Sequence, residues 1–418
     1  MGERQAAGLG AAGSPRVTEV LLYDCLRTPR GAGKPGGALS GVPAPSLLGG
    51  VLAELVRRTG LETARVGEMI IGCVTQSGEQ AGNVGKIAAL EAGWSDAVSV
   101  ATVNHYCASS LWAFNQAAAR VAAGEDLVVA GGVESMSRVP MASDRPPFIV
   151  DPATVQRLGA PPMGVGADAI ATLRGIRREE AEAYAVQSQR RAANARDAGH
   201  FARSLVPVRA DDGSVLLAHD ETIRANASIE KLLTLPPFFA AMGEQWADAL
   251  VRAWHPELGA VDHFHHAGNS PAMADGASVT LLGTEAAARH LGVPPRARVL
   301  AAASAADDHV LALNGALGAT RKALERAGLD VADIDLFEVN EAFAAPTLVY
   351  VRDLGIEPER FNVNGGAIAL GHAMGATGTT LVGMLVDELE RRSLRRGVAA
   401  VSGALGLGAA VVIETLAG

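Results

Sequence analysis

The sequence predicts an α/β protein in which two similar units flank a more polar region. Short apolar runs that suit strands alternate with segments of helical spacing, which is typical of a parallel sheet covered on both faces. The same order of segments occurs twice along the chain. The length of 418 residues also exceeds what one hydrophobic core usually organises.

The first unit contains three predicted strands and one clear helix. The strands are the apolar runs EVLLYDCLRTP (19–29), EMIIGCV (68–74) and DLVVAGG (126–132), each bounded by Pro, Gly or polar residues. The segment PSLLGGVLAELVRRTG (45–60) has helical spacing and ends at a glycine.

The second unit repeats this pattern. RVLAAAS (298–304) and IDLFEVNEAF (334–343) predict strands, and GATRKALERAGLD (318–330) predicts a helix. GVAAVSGALGLGAAVVIETL (397–416) predicts two strands around a glycine-rich turn.

The two units match in detail at one place. RRTGLETARVGEMIIGCV and ERAGLDVADIDLFEVNEA both run from a helix through Gly-Leu and an acidic spacer to an apolar strand. We interpret this as an internal duplication at domain scale. The polar region between the units, roughly 137–273, contains a strongly helical piece at 178–199 and predicts a separate lobe.

Composition and charge exclude several function classes. A net charge of −9 and a pI near 5.6 argue against non-specific nucleic-acid binding, which needs a positive surface. Three cysteines, an odd and sparse number, fit a reducing cytosol without disulfides. The opening MGERQAAGLGAAGSPR lacks the apolar core of a signal peptide, and no apolar run has the length of a membrane span. We therefore expect a cytoplasmic protein.

Cys107 is the candidate nucleophile. It stands in VNHYCASSLWAFNQAA (103–118), between a strand and a helix that faces a core with Leu111, Phe114, Ala118 and Val121. The positive end of a helix dipole favours the thiolate form of a cysteine, and a thiolate is the reactive form. Cys25 and Cys73 lie inside apolar strands, and we interpret them as small buried side chains.

A thiolate nucleophile also needs a base and an oxyanion hole. His372 lies in NVNGGAIALGHAMGATGTT (362–380), where so many glycines indicate that backbone passes close to other groups. Asn340 and Glu341 follow an apolar strand, at the sheet edge where parallel-sheet proteins place their sites. VSGALGLG (401–408) can supply backbone N–H donors.

Taken together, these segments resemble the thiolase family. The matching motifs occur in order over residues 17–418: RTPRGAGKPGGAL, VNHYCASS, GGVESMSRVP, MGVGADAIA, AGNSPAMADGAS, VNEAFAA and NGGAIALGHAMGATG. The trifunctional-complex β-subunit branch is the most similar, because its last motif also ends in GLGAAxVxE. The resemblance implies the thiolase fold, with two duplicated βαβαβαββ halves in five αβαβα layers and an inserted loop domain.

The resemblance divides the chain into four parts. A flexible tail covers residues 1–16. Residues 17–136 and 274–292 form the N-terminal half, and residues 293–418 form the C-terminal half. Residues 137–273 form the loop domain, which binds CoA and carries an insertion at 240–260 relative to common family members.

The resemblance also assigns roles to single residues. Cys107 would become acylated, and His372 would deprotonate it and then help to hold the thioester oxygen. Asn340 would position a water in the same oxyanion hole. The backbone N–H groups of Cys107 and Ala404 would form a second hole.

The substrate implied is a coenzyme A thioester, with no bound cofactor and no metal. Met163, Arg224 and Gly406 would line the CoA site, although an ordinary core methionine and a solvated arginine explain the first two equally well. We expect a homodimer or homotetramer.

Ser402 is the main departure from the family pattern. Thiolases have a second cysteine at this position, which moves a proton at the α-carbon of the acceptor acyl-CoA, and no cysteine follows Cys107 here. An alcohol is a much weaker base than a thiolate, so the expected loss is the general-base factor, on the order of 10²–10⁴.

Other departures concern the substrate. Pro271 replaces a pantetheine-contacting serine, and Ser270 is a substitute hydroxyl. In the insertion at 240–260, helical spacing predicts Trp246, Leu250, Val251 and Trp254 on one face, against the lobe or as a docking helix. An acyl carrier protein is therefore an alternative carrier. Adjacent histidines in HHAGN (265–269) are a weak metal signal without a carboxylate at ligand spacing, and we reject a metal site.

The sequence thus predicts a thiolase-type acyltransferase that loads an acyl group from an acyl-CoA onto Cys107 and passes it to a carbon acceptor. An alternative is transfer to oxygen, nitrogen or water from the same acyl-enzyme. A third hypothesis is a non-catalytic, thiolase-like partner protein, which the intact Cys107, His372 and Asn340 argue against.

Overall fold

The computed structural model describes residues 18–416, and the predicted tail at 1–16 lies outside them. The strands are β1 (Leu21–Arg27), β2 (Gly31–Ala32), β3 (Glu68–Gly72), β4 (Ser99–Val103), β5 (Leu127–Ser135), β6 (Val208–Arg209), β7 (Val215–Leu217), β8 (Ala274–Gly283), β9 (Ala297–Ala306), β10 (Leu336–Val339), β11 (Arg396–Ser402) and β12 (Leu407–Thr415).

The helices are α1 (Ala44–Thr59), α2 (Val84–Glu91), α3 (Ser109–Ala122), α4 (Pro147–Val150), α5 (Pro152–Leu158), α6 (Met163–Arg174), α7 (Arg178–Asp197), α8 (Ile229–Leu233), α9 (Ala240–Met242), α10 (Asp248–Trp254), α11 (Gly315–Ala327), α12 (Ala344–Leu354), α13 (Ala367–Leu370) and α14 (Thr377–Arg391). None of these helices is both long and apolar enough to cross a membrane.

The strand pairing confirms the predicted duplication. In the first half the strand order is β4-β3-β5-β8-β1, and in the second it is β10-β11-β12-β9. Both halves begin with a parallel pair (β3 with β5, β10 with β11), and two antiparallel pairs follow in each. Phe361 bridges Phe337 in parallel, at the place that β4 takes beside β3. β1 also pairs with β9, which joins the halves into one sheet.

Helices and sheet halves stack in the predicted five layers. The middle layer is α3 and α14, which pack against each other within a central apolar cluster that includes Leu111, Phe114 and Val382. On the outer face of the first half, α1 and α2 cover a second cluster. On the outer face of the second half, α11 and α12 cover a third. This agrees with the predicted layered arrangement of two halves, in which each helix layer buries an apolar face against a sheet.

The chain between β5 and β8 contains seven helices, α4 to α10, and the short hairpin of β6 and β7. The helix predicted at 178–199 is confirmed as α7. The four domain boundaries drawn from the sequence stay predictions.

The predicted helical face in the segment 240–260 is wrong at Trp246. A π-helical turn, Gly243–Ala247, interrupts the helix there, whereas Leu250, Val251 and Trp254 keep regular helical spacing within α10. Leu250 and Val251 are buried, whereas Trp246 and Trp254 are 42% and 51% exposed.

Candidate active site

Cys107 lies in a tight turn between β4 and α3. Tyr106 has a positive φ of 50°, a conformation that a bulky side chain adopts only when its surroundings impose it. The Ser109 hydroxyl imposes it here, because its oxygen accepts the backbone N–H of His105 (2.8 Å) and donates to the carbonyl of Tyr106 (2.6 Å). The position of the sulfur is therefore fixed by the start of the helix.

The thiol of Cys107 is buried and only 5% exposed. Burial and, to a smaller extent, the negative charge of Glu134 raise its pKa to about 12, against a lowering by its own backbone N–H. The helix terminus favours the thiolate, but in the unliganded protein the cost of burying the charge outweighs the field of α3, and the thiol stays protonated. Cys25 and Cys73 are buried, as predicted, and burial raises the pKa of both thiols well above the usual value.

His372 presents an unprotonated nitrogen. Its Nδ1 lies 2.8 Å from the Thr377 hydroxyl, which itself donates to the carbonyl of Ala373 at 3.0 Å. Because that donation uses the only proton of the hydroxyl, Nδ1 must be the donor to Thr377. The lone pair therefore resides on Nε2, which is buried and has no hydrogen-bond partner within residues 18–416.

The His372 imidazole is also held neutral. Burial and, to a smaller extent, the positive charge of Arg30 lower its pKa to about 3. A neutral imidazole with a free Nε2 is the form that accepts a proton.

The loop that carries His372 (the histidine loop) and the turn that carries Cys107 (the nucleophile turn) meet at the starts of α14 and α3. A Cβ at Gly378 would lie 2.2 Å from the backbone nitrogen of Leu111, so only glycine allows this approach. The Thr379 N–H donates to the hydroxyl of Ser110 at 3.2 Å. Gly378 is therefore one of the glycines in 362–380 at which backbone passes close to another group, as predicted.

Asn340 follows β10 directly, and its backbone N–H donates to the carbonyl of Ala400 at 3.0 Å. The residue is 5% exposed, yet neither atom of its amide group has a partner within the described residues. Asn340 and Ser402 both border a small cavity of about 20 Å³. This is enough room for one water, and unpaired buried amides are rare outside functional sites.

Ser402 ends β11 and is buried. Its hydroxyl accepts the backbone N–H of Ala316 at 3.0 Å, and no other hydrogen bond to this oxygen forms within residues 18–416. A Cβ on the next residue, Gly403, would lie 3.0 Å from the carbonyl of His105 and 3.3 Å from the Cβ of Tyr106. The predicted proton-transfer position and the nucleophile turn are therefore neighbours.

The turn after Ser402 holds the predicted second oxyanion donor. Ala404 is buried at the start of a single 3₁₀ turn, Ala404–Gly406. Leu405 and Gly406 both have positive φ, and Gly406 donates to the carbonyl of Ala312 at 3.1 Å. This tight turn fixes the direction of the N–H groups next to the nucleophile turn.

The predicted substrate residues fall into two groups. Ser270 and Pro271 are half-buried and precede Ala272, whose carbonyl accepts the His372 N–H at 2.8 Å. The Ser270 hydroxyl oxygen is buried without a partner in the described chain. Met163, half-buried at the start of α6, and the exposed Arg224 lie in the lobe region instead.

The geometry and the family comparison agree. The family profile "Thiolase, N-terminal domain" matches residues 20–286, and "Thiolase, C-terminal domain" matches residues 293–415.

The chain belongs to the thiolase family.

Curated relatives match this thiolase over nearly its whole length. A 3-ketoacyl-CoA thiolase of Colwellia psychrerythraea is 37% identical, covering 95% of this chain and 100% of the relative. A beta-ketoadipyl-CoA thiolase of Escherichia coli is 36% identical with the same coverage. Among solved structures, the acetyl-CoA acetyltransferase of Bacillus anthracis is similar with a TM-score of 0.83 and 33% identity, covering 96% of this chain and 100% of that chain. The predicted enzyme class, a thiolase-type acyltransferase, is confirmed at the level of the family.

Two site residues of this thiolase were not singled out from the sequence. Thr377 sets the tautomer of His372, and Glu134 accepts hydrogen bonds from the histidine loop and from the turn after β3. Both stand inside motifs that carried the resemblance, so the signal was present. Their roles depend on which backbone groups face them, and a linear motif does not give that.

The histidines of the DHFHHAGN segment form carboxylate pairs. His263 and His265 both bond to the buried Asp168, at 2.8 and 2.6 Å, and His266 bonds to Glu182 at 2.8 Å. Across residues 18–416, no group of three or more His, Cys, Asp or Glu side chains is arranged to hold a metal ion.

Proposed function

We propose that this protein is an acyl-CoA C-acyltransferase of the 3-ketoacyl-CoA thiolase type that works through a thioester on Cys107. The observation that carries the proposal is the neutral imidazole of His372. Its Nε2 is buried and has no hydrogen-bond partner within the described residues, and the loop that carries it packs on α3. Family membership and relatives with thiolase activity in their names support the same reaction.

In the proposed first step, the Cys107 thiol attacks the thioester carbonyl of an acyl-CoA. The S–H proton passes to Nε2 of His372 as the S–C bond forms, and the CoA thiolate leaves and takes up that proton. Because the free thiol has a pKa near 12 and the imidazole a pKa near 3, a resting thiolate–imidazolium pair is disfavoured. Proton transfer is therefore coupled to attack, which is general base catalysis.

Two oxyanion holes support this step in the proposal. A water held by Asn340 in the adjoining cavity, together with His372, stabilises one carbonyl oxygen. The backbone N–H groups of Cys107 and Ala404 stabilise the other. Donors that point at developing negative charge before the reaction begins are usually the largest contribution to catalysis.

The second step is where this chain departs from its family. We propose that Ser402 occupies the position of the second thiolase cysteine. Its oxygen faces an N–H donor, and no carboxylate or imidazole bonds to it in the described residues. An alcohol in that environment does not become a base, so removal of a proton from an acceptor α-carbon should be slow. An acceptor carbon that is already activated, for example by decarboxylation, avoids this step.

The same observation favours a second candidate function. An acyl group on Cys107 can be passed to an alcohol, an amine or water, none of which needs a base at position 402. The protein would then be an O- or N-acyltransferase or a thioester hydrolase with the same acyl-enzyme.

The remaining details of the proposal follow the family. The substrate is a coenzyme A thioester bound along Met163, Arg224, Ser270, Pro271 and Gly406, with acyl carrier protein as an alternative carrier. We further propose a cytoplasmic homodimer or homotetramer of the trifunctional-complex β-subunit type, without a bound cofactor.

The test follows the fate of the acyl group. The protein is incubated with acetyl-CoA or a 3-ketoacyl-CoA plus CoA, and new acyl-CoA products, free acid and free CoA are separated by chromatography, with Cys107→Ala as the control. Carbon–carbon bond formation or cleavage that needs Cys107 supports the proposal. Free acid alone supports the hydrolase. If no thioester is turned over, the remaining hypothesis is the non-catalytic partner protein.

A further inference from the structure

The loop that carries His372 touches a buried carboxylate on each side. On one side is Glu134 of β5, which is 0% exposed. Its Oε1 accepts the N–H of Thr75 (3.1 Å) and the Nε2 of Gln80 (2.9 Å), and its Oε2 accepts the N–H groups of Val74 (3.0 Å) and Gly375 (2.9 Å). Gly375 lies three residues after His372.

On the other side is Glu341, which follows β10 and is also 0% exposed. Its Oε1 accepts the hydroxyl of Tyr184 (2.6 Å) and the Nδ2 of Asn362 (3.2 Å). Its Oε2 accepts the hydroxyl of Ser188 (2.8 Å) and the N–H of Ile368 (2.9 Å). Ile368 lies four residues before His372.

The segment between these contacts depends on contacts with the rest of the fold, of which the bond from the His372 N–H to Ala272 is one. It contains Gly371 with φ of 87° and Gly375, and glycines allow many backbone conformations. The fixed points at Ile368 and Gly375 bracket the histidine, and each carboxylate connects its fixed point to a different element of the fold. Glu134 connects to the turn after β3, and Glu341 connects to α7.

We propose that Glu134 and Glu341 are positioning residues that clamp the 368–375 loop from both sides and thereby hold Nε2 of His372 in reach of the Cys107 thiol. This rests on the proposed role of His372 as the base. A buried carboxylate with four donors is expensive to desolvate, and an apolar side chain of similar size would stabilise a purely structural contact at lower cost. A clamp needs the carboxylate, since only it accepts several N–H and O–H groups at defined angles.

The test replaces each carboxylate by an amide. In Glu134→Gln and Glu341→Gln, the NH₂ group faces donors that the carboxylate accepted, so the link is broken either at the loop or at the element that anchors it. We expect kcat to fall by about tenfold to 100-fold, as for a small misplacement of a reacting group, with KM for the acyl-CoA nearly unchanged. If the amide variants do not fold, Tyr184→Phe, which removes one hydroxyl donor to Glu341, is expected to give a smaller loss of kcat.

The readout that separates positioning from mere stability is the titration of His372 itself, followed by NMR of labelled imidazole. In the wild type the ring stays neutral down to about pH 4, because burial and the nearby Arg30 disfavour its charged form. A loosened loop admits water, and the His372 pKa then moves up toward its usual value of about 6.5. The other charge in this part of the site, Glu134, acts on Cys107 and is neutralised in one of the two variants.

The matched control is Asp387→Asn. Asp387 is a buried carboxylate further along α14 that pairs with Arg296 at 2.6 Å and does not touch the loop. The Asp387→Asn variant should be less stable than the wild type but keep its kcat and its His372 titration. Wild-type kcat and titration in both amide variants, or losses equal to those of Asp387→Asn, would overturn the clamp. The titration does not require turnover, so a failure of the proposed acyl transfer is seen separately.

Discussion

The hydroxyl oxygen of Ser402 accepts a hydrogen bond from the backbone N–H of Ala316, in the first turn of α11, at 3.0 Å. This contact places the side chain at the positive end of a helix that is thirteen residues long. A thiolate in the same place would gain from that N–H and from the helix dipole, whereas an alcohol stays protonated.

Ser402→Cys should therefore increase condensation or thiolysis. We expect a gain within the general-base factor, on the order of 10²–10⁴-fold, in a spectrophotometric assay of 3-ketoacyl-CoA cleavage by CoA. Ser402→Ala is the matched control and should stay close to the wild type, because the serine does not act as a base. A wild-type rate equal to that of Ser402→Cys would show that the serine at position 402 does not limit the reaction.

Removing the Thr377 hydroxyl should weaken the base. In Thr377→Val the ring nitrogen Nδ1 loses its partner, and the tautomer with a free Nε2 is no longer fixed. We expect kcat to fall by up to the general-base factor, on the order of 10²–10⁴-fold, with little change in KM. Thr377→Ser keeps the hydroxyl and should restore most of the rate. Equal losses in both variants would point to packing of the methyl group instead.

Alkylation of the free protein should report a neutral Cys107. Since burial raises its pKa to about 12, the rate of reaction with iodoacetamide should still be rising above about pH 10. Peptide mass spectrometry identifies the site, and Cys25 and Cys73 are internal controls that should stay unmodified because they are 1% and 0% exposed. A plateau near neutral pH would mean that a thiolate forms before substrate binds.

Asp220 should be a stability determinant of the segment that follows β1. Its carboxylate makes two hydrogen bonds to the buried Arg27, at 2.7 and 2.9 Å, and a third from the N–H of Arg30. Asp220→Asn leaves the Arg27 charge buried without a counter-charge, and the free energy of unfolding should fall by about 3–5 kcal/mol in a urea titration.

The pH dependence of that stability has a definite sign. Burial raises the pKa of Asp220, but Arg27 and the hydrogen bonds outweigh it and hold the pKa below its usual value. The contribution is therefore present above the unfolded-state pKa of about 3.9, and it is lost as the pH falls through the lower folded-state pKa. Asp220→Asn should remove this acid-dependent part, and an unchanged acid limb would contradict the assignment.

The sequence was sufficient for the fold because the strands are long apolar runs and occur twice in the same order. The β3–β5 and β10–β11 pairs, and the central position of α3 and α14, follow from that repetition. The predicted helical face failed at a place where the phase of the helix changes locally. The π-helical turn at Gly243–Ala247 changes the phase of Trp246 relative to Leu250 and Val251 of α10, and spacing alone cannot show such a turn.

The sequence indicates candidate site residues but not their electrostatics. Cys107, His372 and Asn340 stand in recognisable motifs, and the structure brings their segments together, while their catalytic roles stay predictions. The raised pKa of Cys107 does not follow from its place before a helix, because burial depends on the surrounding layers. The partners of Glu134 lie in three separate segments, so its part in the site needs coordinates.

The most direct measurement is the formation of the acyl-enzyme itself. Wild type, Cys107→Ala and His372→Gln are mixed with an acyl-CoA, quenched in acid within one turnover, and digested for peptide mass spectrometry. We predict an acyl adduct on Cys107 in the wild type, none in Cys107→Ala, and formation slowed by about 10²–10⁴-fold in His372→Gln. An acyl group on another residue, or equal rates with and without the imidazole, would contradict the account.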